Sequence, residues 1–570
     1  MAVRDWLSRF KGGEDDRHPL AGERGLQEFL QSLPESQAAM SLDQGFYALE
    51  SAQAAKLEAS LLQRALRAVD EHLQGAVGEL WHLLFRDARG DQVSEPSLVA
   101  LNQYYRRAAL AYASALDALP RDAAKEVQEH APLLACRGMA ALVQRKKLLH
   151  IGYRSPDAEL WETVNRIYIR ARALGVLRNR IELYGPGEPV SAANEHLVGL
   201  LFEVAPLGNM LPTQMQCLDA LLRMHAAGFV SGEQHAAGTP FYADLTRPQA
   251  PQRWLEGLTP RGSLRFFGLG PTYLKIQSLA RQSLEAPDVP DWAVPSECDL
   301  DGYRKLLAMC VEHWSEKPPQ RRHRRLAGGD EIVVVYGFGQ TRRMVAASEF
   351  ARTAAERGFT GFQSDNATLR DAKYFDRIRF GSVDPDKTQS GKAKKPVVLP
   401  PPKELLEKIE LEGDRQLMQR WKIADTSDSG IGATPPSTAS WAKLGVLVGY
   451  RQPESIDWQV AVIRRLGRTP DNKLSVGLER VNGDALSVRV LPVAGAERAA
   501  WEHLPIGGEG TEDAVQVSGP AGLLLLLPPG RYRTGQHYLV WADIQRYAVE
   551  VTSVYPAGKD YQPVAVSRAG

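Results

Sequence analysis

Two short clusters in this sequence gather side chains suited to recognising anions and purines. The first, Arg321-Arg322-His323-Arg324-Arg325, contains the spacing RxxxR. The second, Asp425-Thr426-Ser427-Asp428-Ser429-Gly430, reads DxSxxG. An arginine presents a planar fork that pairs bidentately with phosphate or with the O6/N7 edge of guanine, and it can stack on the base. The Asp425 carboxylate is an acceptor suited to the N–H donors of a purine edge, and the Ser427 hydroxyl can donate or accept. Gly430 allows close backbone approach and a positive φ. Arg321, Arg325, Asp425, Ser427 and Gly430 are the leading candidates, with Arg322 and Arg324 beside them.

Each cluster also has a plainer reading. A run of basic residues can be a solvated linker, and Asp425 and Ser427 can stabilise a turn through local backbone bonds. Neither motif is specific alone, since RxxxR recurs at Arg166/Arg170 and Arg464/Arg468. Their setting adds to them. The arginine run directly precedes EIVVVYGF (331–338), a β-branched and aromatic strand signal. DxSxxG directly follows the strand signal QRWKIAD, and WQVAVIRRL and LSVGLERV come later in the chain.

This order resembles the PilZ family, over roughly residues 320–340 and 412–490. Trp458 to Arg464 and Val476 to Glu479 stand where that family has its later strand signatures. The resemblance implies an antiparallel β-barrel that binds the bacterial second messenger cyclic di-GMP. It implies ligand contacts at Arg321, Arg322, Arg325, Asp425, Ser427 and Gly430. Trp421, Trp458 and Val462 read as core. Arg464 and Arg465 read as surface, with Arg464 placed where a ligand-facing arginine could sit. The interval from Arg325 to Asp425 is longer than the family's usual spacing. It marks an insertion that either supports the site or covers it.

The remaining chain is read by texture. Residues 1–20 form a tail and 21–315 an α-helical bundle or solenoid, rich in Ala, Leu, Glu and Gln with apolar residues three and four apart. Ser41 and Gln44 have capping-box spacing, and a small β element is possible around RGSLRFFGLG. The expected barrel takes 316–341 and 412–495, including the strand ALSVRVLPV. Residues 342–411 form the insertion, a helix followed by a Lys/Pro/Gly/Ser-rich linker, and 496–570 a C-terminal β extension. The fold class expected is therefore multidomain α + β.

With 69 basic and 68 acidic residues, the net charge of +1 gives no reason to expect nucleic-acid polymers or anionic membranes as partners. The most apolar run, Leu523 to Leu527, is far too short to span a bilayer. Cys136, Cys217, Cys298 and Cys310 are scattered, so neither a disulfide framework nor structural zinc is expected, and a cytoplasmic location fits reduced thiols. Gly328-Gly329-Asp330-Glu331-Ile332 resembles the diguanylate cyclase signature but lacks the acidic strand motif upstream, and reads as a turn into the strand. No P-loop, HExxH or GxSxG is present. The expectation is a non-enzymatic cyclic di-GMP receptor with no cofactor or metal, whose helical half engages a protein partner. The alternative is a degenerate PilZ scaffold that binds proteins and no nucleotide. Motility, pili, polysaccharide production and biofilm are all compatible with the family, and the sequence does not choose among them.

Overall fold

The computed structural model describes the chain except residues 1–17, 87–92, 121–123, 256, 258–260, 286–293, 296–297, 318–323, 357–400, 402, 405, 408–409, 411–417, 438, 470, 494–509, 521, 543–544 and 570. Most of the expected linker lies outside the described residues, as do Arg321 and Arg322. The chain divides into two compact units, Met1–Gln320 and Arg321–Gly570. It is a multidomain α + β protein, helical first and β-rich later.

The first unit contains α1 (Glu23–Ser32), α2 (Ala38–Ala54), α3 (Ala59–Phe85), α4 (Glu95–Ala118), α5 (Ala124–Ile151), α6 (Ala158–Ala173), α7 (Ala192–Glu203), α8 (Pro212–His225), α9 (Thr272–Glu285) and α10 (Leu300–Trp314). Local chemistry starts several of them. The Asp157 carboxylate accepts from the Leu160 amide at 2.8 Å at the head of α6, and Ser94 caps α4 in the same way, with a proline in its first turn. The expected capping box at Ser41 is not used. Helix α2 begins at Ala38, and Ser41 sits inside it, donating to the Pro34 carbonyl. The long periodic stretch from 41 to 85 is broken between α2 and α3, where Lys56 adopts a φ of 56°.

Helix α5 is the centre of this bundle and buries Arg137, Arg145, Lys146 and Lys147. Buried cations need partners. Lys147 Nζ donates to Asp219 Oδ2 at 2.6 Å, and Lys146 Nζ donates to the Gly199 carbonyl at 3.0 Å. Burial alone would raise the Asp219 carboxyl, but the Arg223 and Lys147 charges outweigh it and hold it at about 2. Four strands follow α8: β1 (Val230–Gly232), β2 (Phe241–Asp244), β3 (Gln252–Arg253) and β4 (Leu264–Gly268), in the order β1-β4-β2-β3. Contrary to the expectation of reduced thiols throughout, Cys217 and Cys298 form a disulfide across 81 residues, with Cα atoms 5.2 Å apart.

The second unit holds two six-stranded antiparallel barrels. The first uses β6 (Glu331–Tyr336), β7 (Met418–Ser427), β8 (Gly430–Thr434), β9 (Leu447–Arg451), β10 (Gln459–Arg468) and β11 (Leu474–Arg480). Its ring runs β6-β7-β8-β11-β10-β9 and returns to β6, while the short strand β5 (Leu326–Ala327) pairs with β7. Helix α11 (Phe338–Glu356) leaves β6 where a helix was expected. The second barrel uses β12 (Asp484–Val493), β13 (Glu512–Gly519), β14 (Gly522–Leu527), β15 (His537–Ala542), β16 (Gln545–Val554) and β17 (Gln562–Arg568), closed in the order β12-β13-β14-β17-β16-β15. The strand ALSVRVLPV is therefore the first strand of this second barrel and not the last of the first one.

Numbered within each barrel, both rings read 1-2-3-6-5-4. Both also carry a bulge in the fifth strand against the sixth, between Ile463 and Arg465 and between Val551 and Ser553. Strand β6 is buried on both faces. Val333 and Val335 join Met344 and Val345 of α11 and Val515, Val517 and Leu526 of the second barrel in one apolar cluster. Alternate residues Ile332 and Val334, with Trp421, Ile431 and Leu478, are buried on the opposite face. The Asp560 carboxylate, from the loop before β17, accepts from the Phe338 amide at 2.5 Å at the start of α11.

Candidate functional site

Strand β7 ends in a two-residue turn, Asp428-Ser429, that returns the chain as β8, with Ser427 paired to Gly430. Alternation from buried Trp421 would aim residue 425 into the barrel. A bulge prevents this. Ile423 pairs with Ala433 and Asp425 with Gly432, so Ala424 is the extra residue. The bulge flips the parity and sets Asp425 on the outer face. There its side chain lies over Gly432, where a Cβ would stand 2.8 Å from Asp425 Oδ1.

Strand β5 runs beside the same end of β7, with Leu326 opposite Thr426 and Ala327 opposite Asp425. The Gly328 amide donates to the Ala424 carbonyl at 2.9 Å, holding this edge. Gly328 itself packs so closely on β7 that a Cβ would fall 2.8 Å from the Ile423 carbonyl oxygen. Of the diguanylate-cyclase-like run, Gly328-Gly329-Asp330 is thus the turn between β5 and β6, and Glu331-Ile332 opens β6. The arrangement brings Arg325 to Asp425: Nη1 lies 3.0 Å from Oδ2, and both side chains are partly exposed, at 39% and 31%. Arg324 is described and exposed.

Ser427 Oγ is weakly engaged, 3.4 Å from the Gly430 carbonyl. Gly430 is not among the residues with positive φ. Its requirement is close approach instead, since a Cβ would meet the Leu478 carbonyl oxygen at 2.7 Å. The turn is braced from β11, where the Arg480 amide donates to the Ser429 carbonyl at 3.0 Å and Arg480 Nη2 to Thr426 Oγ1 at 3.0 Å. Arg464 does not face this site as a free cation. It is the extra residue of the β10 bulge, and its Nε donates to Glu479 Oε2 at 2.7 Å.

The fold thus gathers Arg325, Asp425, Ser427 and Gly430 at one end of the β5–β7–β8 surface. An exposed guanidinium beside a carboxylate and a nearly free hydroxyl can bind a ligand that is both anionic and rich in N–H donors. Among the described residues there is no group of three or more His, Cys, Asp and Glu able to hold a metal. No helix among them is long and apolar enough to cross a membrane. The sequence reading missed Gly432 and the Ala424 bulge. The signal for the first was a second glycine two residues after Gly430.

No curated protein and no solved structure matches the chain. Residues 24–230, less than half of the chain and all within the helical unit, match the family described as "Cyclic-di-GMP receptor FimW, N-terminal domain". The helical unit of this chain is therefore similar to the N-terminal domain of a cyclic-di-GMP receptor family.

Proposed function

We propose that this protein is a cyclic di-GMP receptor that binds the nucleotide on the first barrel. Arg325, with Arg321 and Arg322 from the same basic run, pairs with phosphate or stacks on a guanine. Asp425 accepts from the guanine N1–H and N2–H donors, Ser427 adds a hydroxyl contact, and Gly430 keeps the hairpin tight. The observation that carries this reading is the meeting of Arg325 and Asp425 on the outer face of the barrel. These two residues, one from each motif, lie a hundred positions apart in the chain. The family match on residues 24–230 supports the same ligand from an independent part of the chain. The helical unit then serves as the module that engages a protein partner. Pairing of the basic run with a polyanionic ligand, which favours one arrangement of the protein over another, supplies the switch.

Calorimetric titration of the purified full chain with cyclic di-GMP tests the reading. Saturable heat is expected, lost in Arg325→Ala and in Asp425→Ala. Absence of heat at high micromolar nucleotide would overturn it and leave the scaffold reading.

A further inference from the structure

Cross-strand register extends the site beyond the hairpin. Asp425 on β7 pairs with Gly432 on β8, Gly432 pairs with Gly477 on β11, and Gly477 pairs with Arg465 on β10. These four residues form one row across four neighbouring strands. Residues in register share a face, so Arg465 stands on the same outer face as Asp425.

A second bulge puts it there. Ile463 is fully buried and pairs with Leu478, while Arg465 pairs with Gly477, so Arg464 is the extra residue. Without that insertion, residue 465 would share the inward face of Ile463. Two bulges, at Ala424 and at Arg464, thus each re-aim one charged side chain, and both land on the same row.

The two residues between them are glycines, and each is covered from its own side. A Cβ on Gly432 would meet Asp425 Oδ1 at 2.8 Å, and a Cβ on Gly477 would meet Arg465 Cβ at 3.0 Å and Nε at 3.4 Å. The Asp425 carboxylate thus occupies the space over Gly432 and the Arg465 stem the space over Gly477, so a base reaches this floor of glycines when the two side chains swing out to its edges. Arg325 stands on the far side of Asp425, so the carboxylate has an arginine on either flank. A flat ring can approach bare backbone closely on such a floor. A carboxylate on one edge and a guanidinium on the other complement guanine in particular. Asp accepts from N1–H and N2–H, and Arg donates to O6 and N7. Adenine has a donor at position 6, where guanine has an acceptor, and no N2 donor.

We infer that Arg465 is a ligand-binding residue that reads a guanine edge, and that Gly432 and Gly477 form the floor beneath that base. The inference rests on the proposed nucleotide-binding function. It names the residue that selects guanine, one outside both sequence motifs.

The test compares cyclic di-GMP with cyclic di-AMP on the full-length wild type, Arg465→Ala and Arg465→Lys, with circular dichroism confirming the fold of each. Wild type is expected to prefer cyclic di-GMP. Arg465→Ala is expected to weaken cyclic di-GMP by about 10- to 100-fold, the range for loss of one bidentate base contact, with far less effect on cyclic di-AMP. Arg465→Lys keeps the charge but not the fork, and is expected to recover little of the preference. Gly477→Val is expected to block both nucleotides by filling the floor. If wild type binds and Arg465→Ala binds both nucleotides as wild type does, the inference falls while the receptor reading stands. Full recovery by Arg465→Lys overturns the base contact in favour of simple charge. Failure of wild type to bind either nucleotide removes the receptor reading, and the inference with it.

Discussion

Arg325 and Asp425 meet at 3.0 Å through a hydrogen-bonded ion pair, although a hundred residues separate them in the chain. Strand β5 creates that meeting by pairing with the end of β7. Both side chains are about a third exposed, so the pair adds less than about 1 kcal/mol to stability. Asp425→Ala should therefore melt within a few degrees of wild type. Under the proposed function, saturating cyclic di-GMP should raise the melting temperature of wild type, and that rise should vanish in the variant. Thermal melts with and without nucleotide check both halves. A large loss of stability without ligand would show that Asp425 is a structural residue first.

Gly430 is constrained by distance. A methyl group there would press on the Leu478 carbonyl oxygen at 2.7 Å, a backbone atom held within the β8–β11 ladder. Gly430→Ala should destabilise the second unit by about 1–3 kcal/mol, the usual cost of overpacking. Denaturant unfolding followed by tryptophan fluorescence would report it through Trp421 and Trp441, which lie in the first barrel and in its β8–β9 connection. Wild-type stability in this variant would mean that the ladder can part locally.

His196 gives the helical unit a defined acid sensitivity. Its ring is buried on α7 against Tyr168, and burial, with a contribution from the Lys146 charge, lowers its pKa to about 3. Unfolded, it titrates near 6.5. Below pH 6.5 the unfolded chain takes up a proton that the folded chain refuses, so stability falls as pH drops from 6.5 towards 3. By pH 4.5 this one group should cost about 3 kcal/mol. His196→Phe should flatten that part of the profile in urea titrations run from pH 7 to 4.5. An unchanged slope would refute the assignment.

The Cys217–Cys298 bridge ties α8 to the segment that enters α10. Closing a loop of this length restricts the unfolded chain by roughly 4.5 kcal/mol in the loop-entropy account. Reduction, or Cys217→Ser with Cys298→Ser, should lower the melting temperature of the helical unit. Nucleotide affinity, which the proposed function assigns to the first barrel, should not change. Calorimetric scans with and without reductant decide it, and identical scans would mean that the thiols are not bridged in solution.

The strands of the first barrel were legible because β-branched and aromatic runs such as EIVVVY and QVAVI have few other places to go. The helical half was legible from its periodicity for the same kind of reason. What escaped was set by long-range pairing. ALSVRVLPV reads as a continuation of LSVGLERV because only Val481-Asn482-Gly483 separates the two strands. Its partners, β13 and β15, are declared much later in the chain. The bulges were hidden because one extra residue in KIAD or VIRR looks like imperfect alternation. At the site this mattered most: Arg464 drew attention by its position, while the register gives the outward row to Arg465. The disulfide joined two cysteines whose spacing matches no motif.

The shared ring order of the two barrels invites a residue-by-residue comparison of their second hairpins. Both close through two residues, with Ser427 opposite Gly430 in one and Gly519 opposite Gly522 in the other. By that pairing, Val517 stands where Asp425 stands and Gly519 where Ser427 stands, and a glycine is common to both. The two barrels thus repeat one strand order, with Asp425 on the outer face of one hairpin and buried Val517 at the matching position of the other. Val517 now packs against the neighbouring barrel. Where the first hairpin presents a carboxylate, the second buries a valine, so a nucleotide site of the proposed kind has its counterpart position already filled by the neighbouring barrel.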